Sequence, residues 1–578
     1  MAILPRLWYG IMKKTLSLLS AALVASSFAA DRGVALNKTI ETLEPMKGIV
    51  FWPDQAKSNK DYLGVISLEF SYCLPCAVVT GKTGDKLNYD WSSFEKMLDD
   101  VASRGHQAIV RFRIEYPSET IRNASGCTQN VKGATAVPLY IKNMTGYTET
   151  YSEDPGGDGP TYYADWSSTE LMWFYKQFYT DFAAAYDKDP RIAFVQVGFG
   201  HWGEYHIYGT TKKFGVNFAT KDYQAEFLKH VAAQFTETPW SISIDAADNS
   251  YSPVIDDPSL LALNFGLFDD SFMHAEHDIS QGYGDNERNW RDMGLDRWKT
   301  APGGGEVSYY TPKDQQEFLN PAGLYGVTWE QAASKYHMTY VIGNNSPDGK
   351  YATKERLYEA SSFAGYKFEI TAYTVSENSA SVTVKNIGIA PLYHNAYVTI
   401  KGKRSETSLK GLIPGEEIVC KIEGLNIDAS ENPEPTITSD KLLEGKTIPY
   451  QAKLKASAPV TEISSSSATP VSSSSSVAAS SSSVSEPESS SSSEAESPST
   501  IERGATIAGN ISAIHKDGSV LNFAPTAGHS IVITDMQGKI LVQENGLTFF
   551  NTNRLPRGHY IVHYRSASLK ETMQIVVR

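Results

Sequence analysis

The sequence predicts an α/β chain in which a (β/α)₈ TIM barrel is followed by a β-sandwich, a disordered Ser-rich linker and a small C-terminal β-sandwich. Three observations predict it. Eight short apolar runs alternate with amphipathic helical segments, the pattern turns to period-two alternation after Tyr351, and serine dominates from about Lys455 to Thr500. A chain of 578 residues is also too long for one compact domain.

The N-terminus comes first. Lys13-Lys14 precede an apolar run from Leu16 to Ala25, and Ser27-Phe28-Ala29 has the small-x-small form of a cleavage site. This is the plan of a secretory signal over 1–29, with Met12 as an alternative start. The run is too short to remain in a bilayer, and no later segment reaches spanning length. The expectation is an exported protein, secreted or held at the cell surface.

The barrel is read over 30–354. Its candidate strands are Gly48–Trp52, Gly64–Phe70, Gln107–Arg113, Ile192–Gly198, Trp240–Ile244, Leu261–Phe265, Gly305–Ser308 and Met338–Ile342. Between them, Trp91–Arg104 places Phe94, Met97, Leu98 and Val101 on one face, and Ser168–Tyr186 and Lys221–Phe235 behave alike. A different α/β sheet is the alternative arrangement.

Next, Tyr366–Ile370, Ser381–Lys385, Ala396–Ile400 and Glu417–Lys421 alternate apolar and polar residues, giving a sandwich over 355–454. The linker at 455–500 has too little apolar surface to offset its ordering entropy. In 501–578, strands at Ser530–Thr534, Lys539–Gln543 and His559–Tyr564 are separated by Gly-containing turns, as in a second small sandwich.

Composition narrows the function. With 52 Lys and Arg against 66 Asp and Glu, the formal charge is −14, which excludes the basic face that a nucleic-acid partner requires. Four cysteines are present. In an exported chain, Cys73 or Cys76 bridged to Cys127 is the expected pairing, rather than a redox pair in Cys73-Leu-Pro-Cys76.

A barrel carries its chemistry at the C-terminal ends of its strands. The fourth strand leads to His201, Trp202, Glu204, Tyr205 and His206, and the seventh to Glu306. Trp52 follows the first strand, and Arg111, Arg113 and Glu115 end the third. Asp245 ends the fifth, and Asp269 with Asp270 follows the sixth. Two acids after strands four and seven suit glycoside hydrolysis, in which one protonates the leaving oxygen and the other attacks the anomeric carbon or activates water. Glu204 is read as acid/base, with Trp202 and Tyr205 desolvating it, and Glu306 as nucleophile. Trp52, Arg111, Arg113, Glu115, His201, Trp202, Tyr205, His206, Asp245 and Asp269 are read as substrate-binding. Trp290, Trp298 and Trp329 are either cleft or core.

A metal reading of His201, Glu204 and His206 fails the helical spacing that zinc motifs use, and His274 to Asp278 is a similar lookalike. No metal and no cofactor are expected. The partner is a carbohydrate substrate, with secretion machinery or a cell-surface attachment as a further partner of the C-terminal domain.

Together, K-G-I-V-F-W at 47–52, R-G-H-Q-A-I-V-R-F-R at 104–113, V-G-F-G-H-W-G-E-Y-H at 197–206, G-G-G-E at 303–306 and N-I-G-I-A-P-L-Y at 386–393 resemble the domain-of-unknown-function 4832 family. The resemblance covers about Met46 to Leu454. It implies a glycosidase-like barrel with a C-terminal sandwich. The wider barrel clan that it resembles carries Asn before its acid/base. Here that position is Gly203, which implies either a transferred role, with His201 as candidate, or lost competence. The last 50 or so residues resemble the sorting domains of the type IX (Por) secretion system. Two functions are therefore carried forward: a secreted, retaining glycoside hydrolase acting on a polysaccharide or oligosaccharide, or a non-catalytic carbohydrate-binding or surface protein on a degenerate barrel.

Overall fold

In the computed structural model the described residues are 31–154, 158–274, 285–343, 347, 350–457, and strands with short links between 514 and 577. The signal segment and nearly all of the Ser-rich linker lie outside the described residues. Eight parallel strands close a barrel in chain order: β1 Gly48–Phe51, β2 Leu68–Cys73, β3 Gln107–Phe112, β4 Ile192–Gln196, β5 Trp240–Ser243, β6 Gly266–Phe272, β7 Gly303–Val307 and β8 Met338–Ile342. β8 closes on β1, with Tyr340 opposite Gly48.

The helices form where the apolar spacing placed them. Ser92–Ser103 buries Phe94, Leu98 and Val101. Thr169–Tyr186 starts where the Ser168 hydroxyl accepts from the Leu171 amide at 3.2 Å, and Lys221–Gln234 starts on an equivalent Thr220 cap. Both bury aromatic stripes against the strands.

The sixth strand is displaced from its expected place. Asp257-Pro258 starts a helical turn, Pro258–Leu261, in which the Asp257 side chain accepts from the Ser259 amide. The apolar run Leu261–Phe265 is therefore the end of that turn and a loop, and the strand is the next segment. Alternation within β6 then decides what each side chain faces. Phe268 points inward beneath Arg111, so Asp270 shares its face and Asp269 faces the opposite way.

The second domain has a six-stranded sheet that includes Glu417–Glu423, Ser379–Asn386, Phe368–Val375 and Tyr450–Leu454, facing a three-stranded sheet around Tyr397–Ile400. Two N-terminal strands, Arg32–Gly33 and Leu36–Lys38, add to the larger sheet although they precede the barrel in sequence. Helix Lys354–Phe363 packs on the barrel, so the all-β part begins at Phe368.

This domain sits under the N-terminal ends of the barrel strands. Lys441 Nζ donates to the carbonyls of Asp187 and Asp189 at 3.1 and 2.8 Å and to Thr238 Oγ1 at 2.9 Å, all just before β4 and β5. Lys47, just before β1, donates to the Tyr366 carbonyl at 2.6 Å. The opposite, C-terminal mouth is left to the long loops.

Two of those loops are stapled together. Cys76, after β2, is bonded to Cys127, after β3, while Cys73 and Cys420 are thiols. The bridge sits in a small apolar cluster with Ile121 and Ala136. Cys127→Ser is expected to cost about 2–4 kcal/mol, read as a lower urea midpoint. An unchanged midpoint would mean that packing alone holds the loops.

Residues 514–577 belong to a second compact unit. There, Ile540–Asn545, Ser530–Asp535, Gly558–Arg565 and Lys570–Val577 form one antiparallel sheet, and Ile514–Asp517, Val520–Phe523 and Phe549–Asn551 another. Leu521, Ile531, Ile533, Val562 and Tyr564 form the buried core.

Candidate active site

The interior of the barrel ends, on its C-terminal side, in a polar chain. Tyr340 of β8 reaches across to β4, where Gln196 Nε2 donates to its hydroxyl at 2.9 Å. Gln196 Oε1 in turn accepts from Arg111 Nε of β3 at 2.8 Å. The Arg111 guanidinium is fully buried, lies 4.1 Å from the Phe268 ring centroid, and donates to the Tyr72 hydroxyl and the Trp202 carbonyl at 3.2 Å each. It also forms an ion pair with Glu204.

Gly304 of β7 makes this chain possible: a Cβ there would stand 2.2 Å from the Tyr340 ring. Gly304 therefore serves barrel packing.

Glu204 is presented by a strained turn. Gly200, Trp202, Gly203 and Tyr205 all have left-handed φ values, between 53° and 80°. For Trp202 and Tyr205 that is a costly conformation, of a kind concentrated at functional sites. Glu204 is 3% and Glu306 5% exposed. Burial, then the neighbouring Glu204 charge, push the Glu306 carboxyl up to about 8, against the downward pull of Arg111. Arg111 and Tyr72 both feel the charge of both glutamates, so the four groups share one electrostatic site.

Rings surround it. Tyr72 packs against Trp52 (centroids 5.7 Å) and Tyr116 (5.6 Å), and Tyr116 against Trp202 (5.8 Å). Tyr309, just beyond β7, hydrogen-bonds with Trp52 and feels the charge of Glu306.

The other expected site residues divide. His206 stays at the mouth, half-buried, with Nδ1 2.9 Å from Asp245 Oδ2. Asp270 joins them, its carboxyl pushed well up by burial and by Asp245, Glu204, Asp269 and Glu306. Ligand atoms of His206, Asp245 and Asp270 lie within 4.8 Å of one another, the one such metal-compatible group among the described residues. The His206–Asp245 hydrogen bond already pairs two of the three.

Asp269 is not at the mouth. It faces the barrel wall, where it accepts from Trp290 Nε1 at 3.1 Å and from the Ser271 amide at 3.0 Å. Tyr205 is also fully buried in the wall, against Phe199, so it does not desolvate Glu204 from the cleft side. His201 is fully buried between Tyr163 and Tyr208, and burial lowers its pKa to about 3. It is therefore not positioned to replace an amide at Gly203. Arg113 is buried too, paired with Glu119 and 4.4 Å from the Tyr116 ring centroid. Trp290 and Trp329 are core, and Trp298 stacks on His337.

Glu115 lies behind the Glu204 turn, where it accepts from the Ala164 amide at 3.0 Å, and burial raises its carboxyl to about 8. Between its ordinary value of 4.5 and about 8, the unfolded chain ionises this group while the folded protein keeps it protonated. Stability therefore falls as pH rises through that window. Glu115→Gln is expected to gain on the wild type between pH 5 and 7.5 in urea titrations. A difference independent of pH would contradict the assignment.

Sequence reasoning missed Tyr72, Tyr116, Gln196, Tyr309 and Tyr340. Tyr72 could have been found, since it follows Leu68 and Phe70 at period two on the inward face of β2. Tyr340 and Gln196 carry no local signal, because their meeting depends on barrel closure.

No family model matches this chain, and no curated protein matches it. Similar solved structures include the catalytic domain of a β-amylase from Paenibacillus polymyxa, with 11% identity and a TM-score of 0.36 over 55% of this chain and 99% of that one. They also include the endo-glycoceramidase II lactosyl-enzyme intermediate from Rhodococcus sp., with 10% identity and a TM-score of 0.36 over 70% and 100%. A GH5_18 protein from Bifidobacterium longum subsp. infantis has 11% identity and a TM-score of 0.31 over 57% and 82%. These likenesses transfer no activity to this chain.

Proposed function

We propose that this protein is an exported glycoside hydrolase that uses Glu204 and Glu306 to cleave a polysaccharide or oligosaccharide with retention of anomeric configuration. The observation that carries the reading is the inequality of the two carboxyls. Arg111 is paired with Glu204, while burial and Glu204 itself raise Glu306 to about 8. An arginine-paired carboxylate suits a nucleophile, and a carboxyl kept protonated by burial suits an acid.

This arrangement favours roles opposite to those expected from the sequence. Glu306 gives its proton to the glycosidic oxygen as the C1–O bond breaks, and a Glu204 oxygen bonds to C1. The ester carries no charge, so the main electrostatic push on Glu306 is gone when it must act as a base. Glu306 then takes a proton from water, the water oxygen bonds to C1, and Glu204 is released. Tyr72, Tyr116 and Trp202 offer apolar ring faces to the sugar at this point.

The first-formed anomer is the test. Proton NMR during hydrolysis is expected to show retention, and an inverted first product would remove Glu204 as nucleophile. A second reading, binding without turnover, is favoured by Gly203, which places no amide side chain before Glu204. The N-terminal and C-terminal sequence patterns support export through a sorting module. Deletion of 501–578 is expected to leave hydrolysis intact and to change where the protein is found.

A further inference from the structure

Outside the Glu204–Glu306 pair, the loops after β6 and β7 build a second arrangement that the mechanism does not use. β6 ends in a turn in which the His274 amide donates to the Ser271 carbonyl at 3.1 Å and Met273, a buried non-glycine residue, is held at φ 66°. That turn presents His274. Its Nδ1 donates to Asp314 Oδ2 at 2.7 Å.

Asp314 is fully buried and also accepts from Thr311 Oγ1 at 2.8 Å and the Tyr325 hydroxyl at 2.5 Å. Burial alone would raise its carboxyl, but the donors from His274, Tyr325, Ser308 and Thr311 hold it at about 2. A buried carboxylate with this many donors is a fixed post. It sets the tautomer and the orientation of the His274 ring, and leaves Nε2 directed away from Asp314.

Beside that ring, at 4.8 Å between centroids, stands Tyr310, which is 67% exposed. Tyr310 lies three residues beyond the C-terminal end of β7, the strand that carries Glu306, so this ring stands at the same mouth of the barrel. An oriented imidazole beside an exposed aromatic face is a fit for one pyranose ring: the apolar face of the sugar covers the tyrosine, and a hydroxyl meets the imidazole nitrogen.

We propose that Tyr310 and His274 form a separate sugar subsite, positioned by Asp314, so that the cleft takes a chain of at least two pyranose units rather than a single glycoside. The inference rests on the carbohydrate-active reading above and specifies its substrate class. Tyr310 and His274 bind the chain; Asp314 is a positioning residue.

The test is affinity electrophoresis of the full mature chain in gels containing xylan, glucomannan, mixed-linkage β-glucan or galactan. Tyr310→Ala and His274→Gln would be run beside the wild type, with Tyr310→Phe as a control. Gln at position 274 can still donate to Asp314, and position 310 is exposed, so the fold should be kept; thermal melts check it. On the polysaccharide that retards the wild type, Tyr310→Ala is expected to weaken binding by about tenfold and His274→Gln by about fivefold. Tyr310→Phe should bind as the wild type does. Where a substrate is cleaved, Tyr310→Ala should raise KM for the polymer. Equal retardation of the wild type and Tyr310→Ala would overturn the subsite alone. Retardation of the wild type by none of the four would overturn the subsite and the carbohydrate reading together.

Discussion

Arg111→Met is expected to cost about 3–5 kcal/mol of stability, because it leaves the buried Glu204 carboxylate without its partner. Arg111 is fully buried, and its Nε, at 2.8 Å from Gln196, ties the ion pair to the interior chain that ends at Tyr340. Two losses therefore combine, an unpaired charge and an unfilled acceptor on Gln196. Adding Glu204→Gln to Arg111→Met removes the charge and should recover part of the loss. Urea midpoints of the two single variants and the double variant measure the coupling. A midpoint for Arg111→Met equal to that of the wild type would mean that the pair does not hold the barrel mouth together.

Glu306→Gln and Glu204→Gln should differ in kind as well as extent. If Glu306 supplies the proton, its loss is expected to reduce polysaccharide turnover by about 10³-fold or more, while a leaving group that needs no proton, such as dinitrophenolate, is still expelled. Glu204→Gln should be inactive on both substrates, since no carboxylate remains to attack C1. The wild-type rate should fall as pH rises through about 8, where Glu306 loses its proton. If instead Glu204→Gln retains turnover of the dinitrophenyl glycoside, the roles are those first read from the sequence.

The barrel was legible because most of its strands are short buried apolar runs, with amphipathic helices between several of them. The error at β6 shows what that signal lacks. Leu261–Phe265 is as apolar as a strand, but Asp257-Pro258 starts a helical turn, so the strand is the less apolar Gly266–Phe272. That displacement reversed the facing of two neighbouring acids, and Asp270 rather than Asp269 reaches the mouth. Glu204 and Glu306 were read as a candidate pair from topology, since a barrel gathers the C-terminal ends of its strands at one mouth.

The proposed division of labour within the pair was not legible. It depends on whether Arg111 lies nearer one carboxyl than the other, which is a matter of rotamers and of the strained Glu204 turn. Nor does spacing in the sequence reveal that His201 and Tyr205, on either side of Glu204, turn into the wall. The Asp314 post is likewise assembled from the loops after β6 and β7, with no shared motif.

The most direct measurement is reducing-sugar release from a panel of polysaccharides by the purified mature protein, beside folded Glu204→Gln and Glu306→Gln variants. The account predicts release by the wild type from at least one polymer and its loss in both variants. Binding of that polymer without release by the wild type, or release that survives both substitutions, would contradict it.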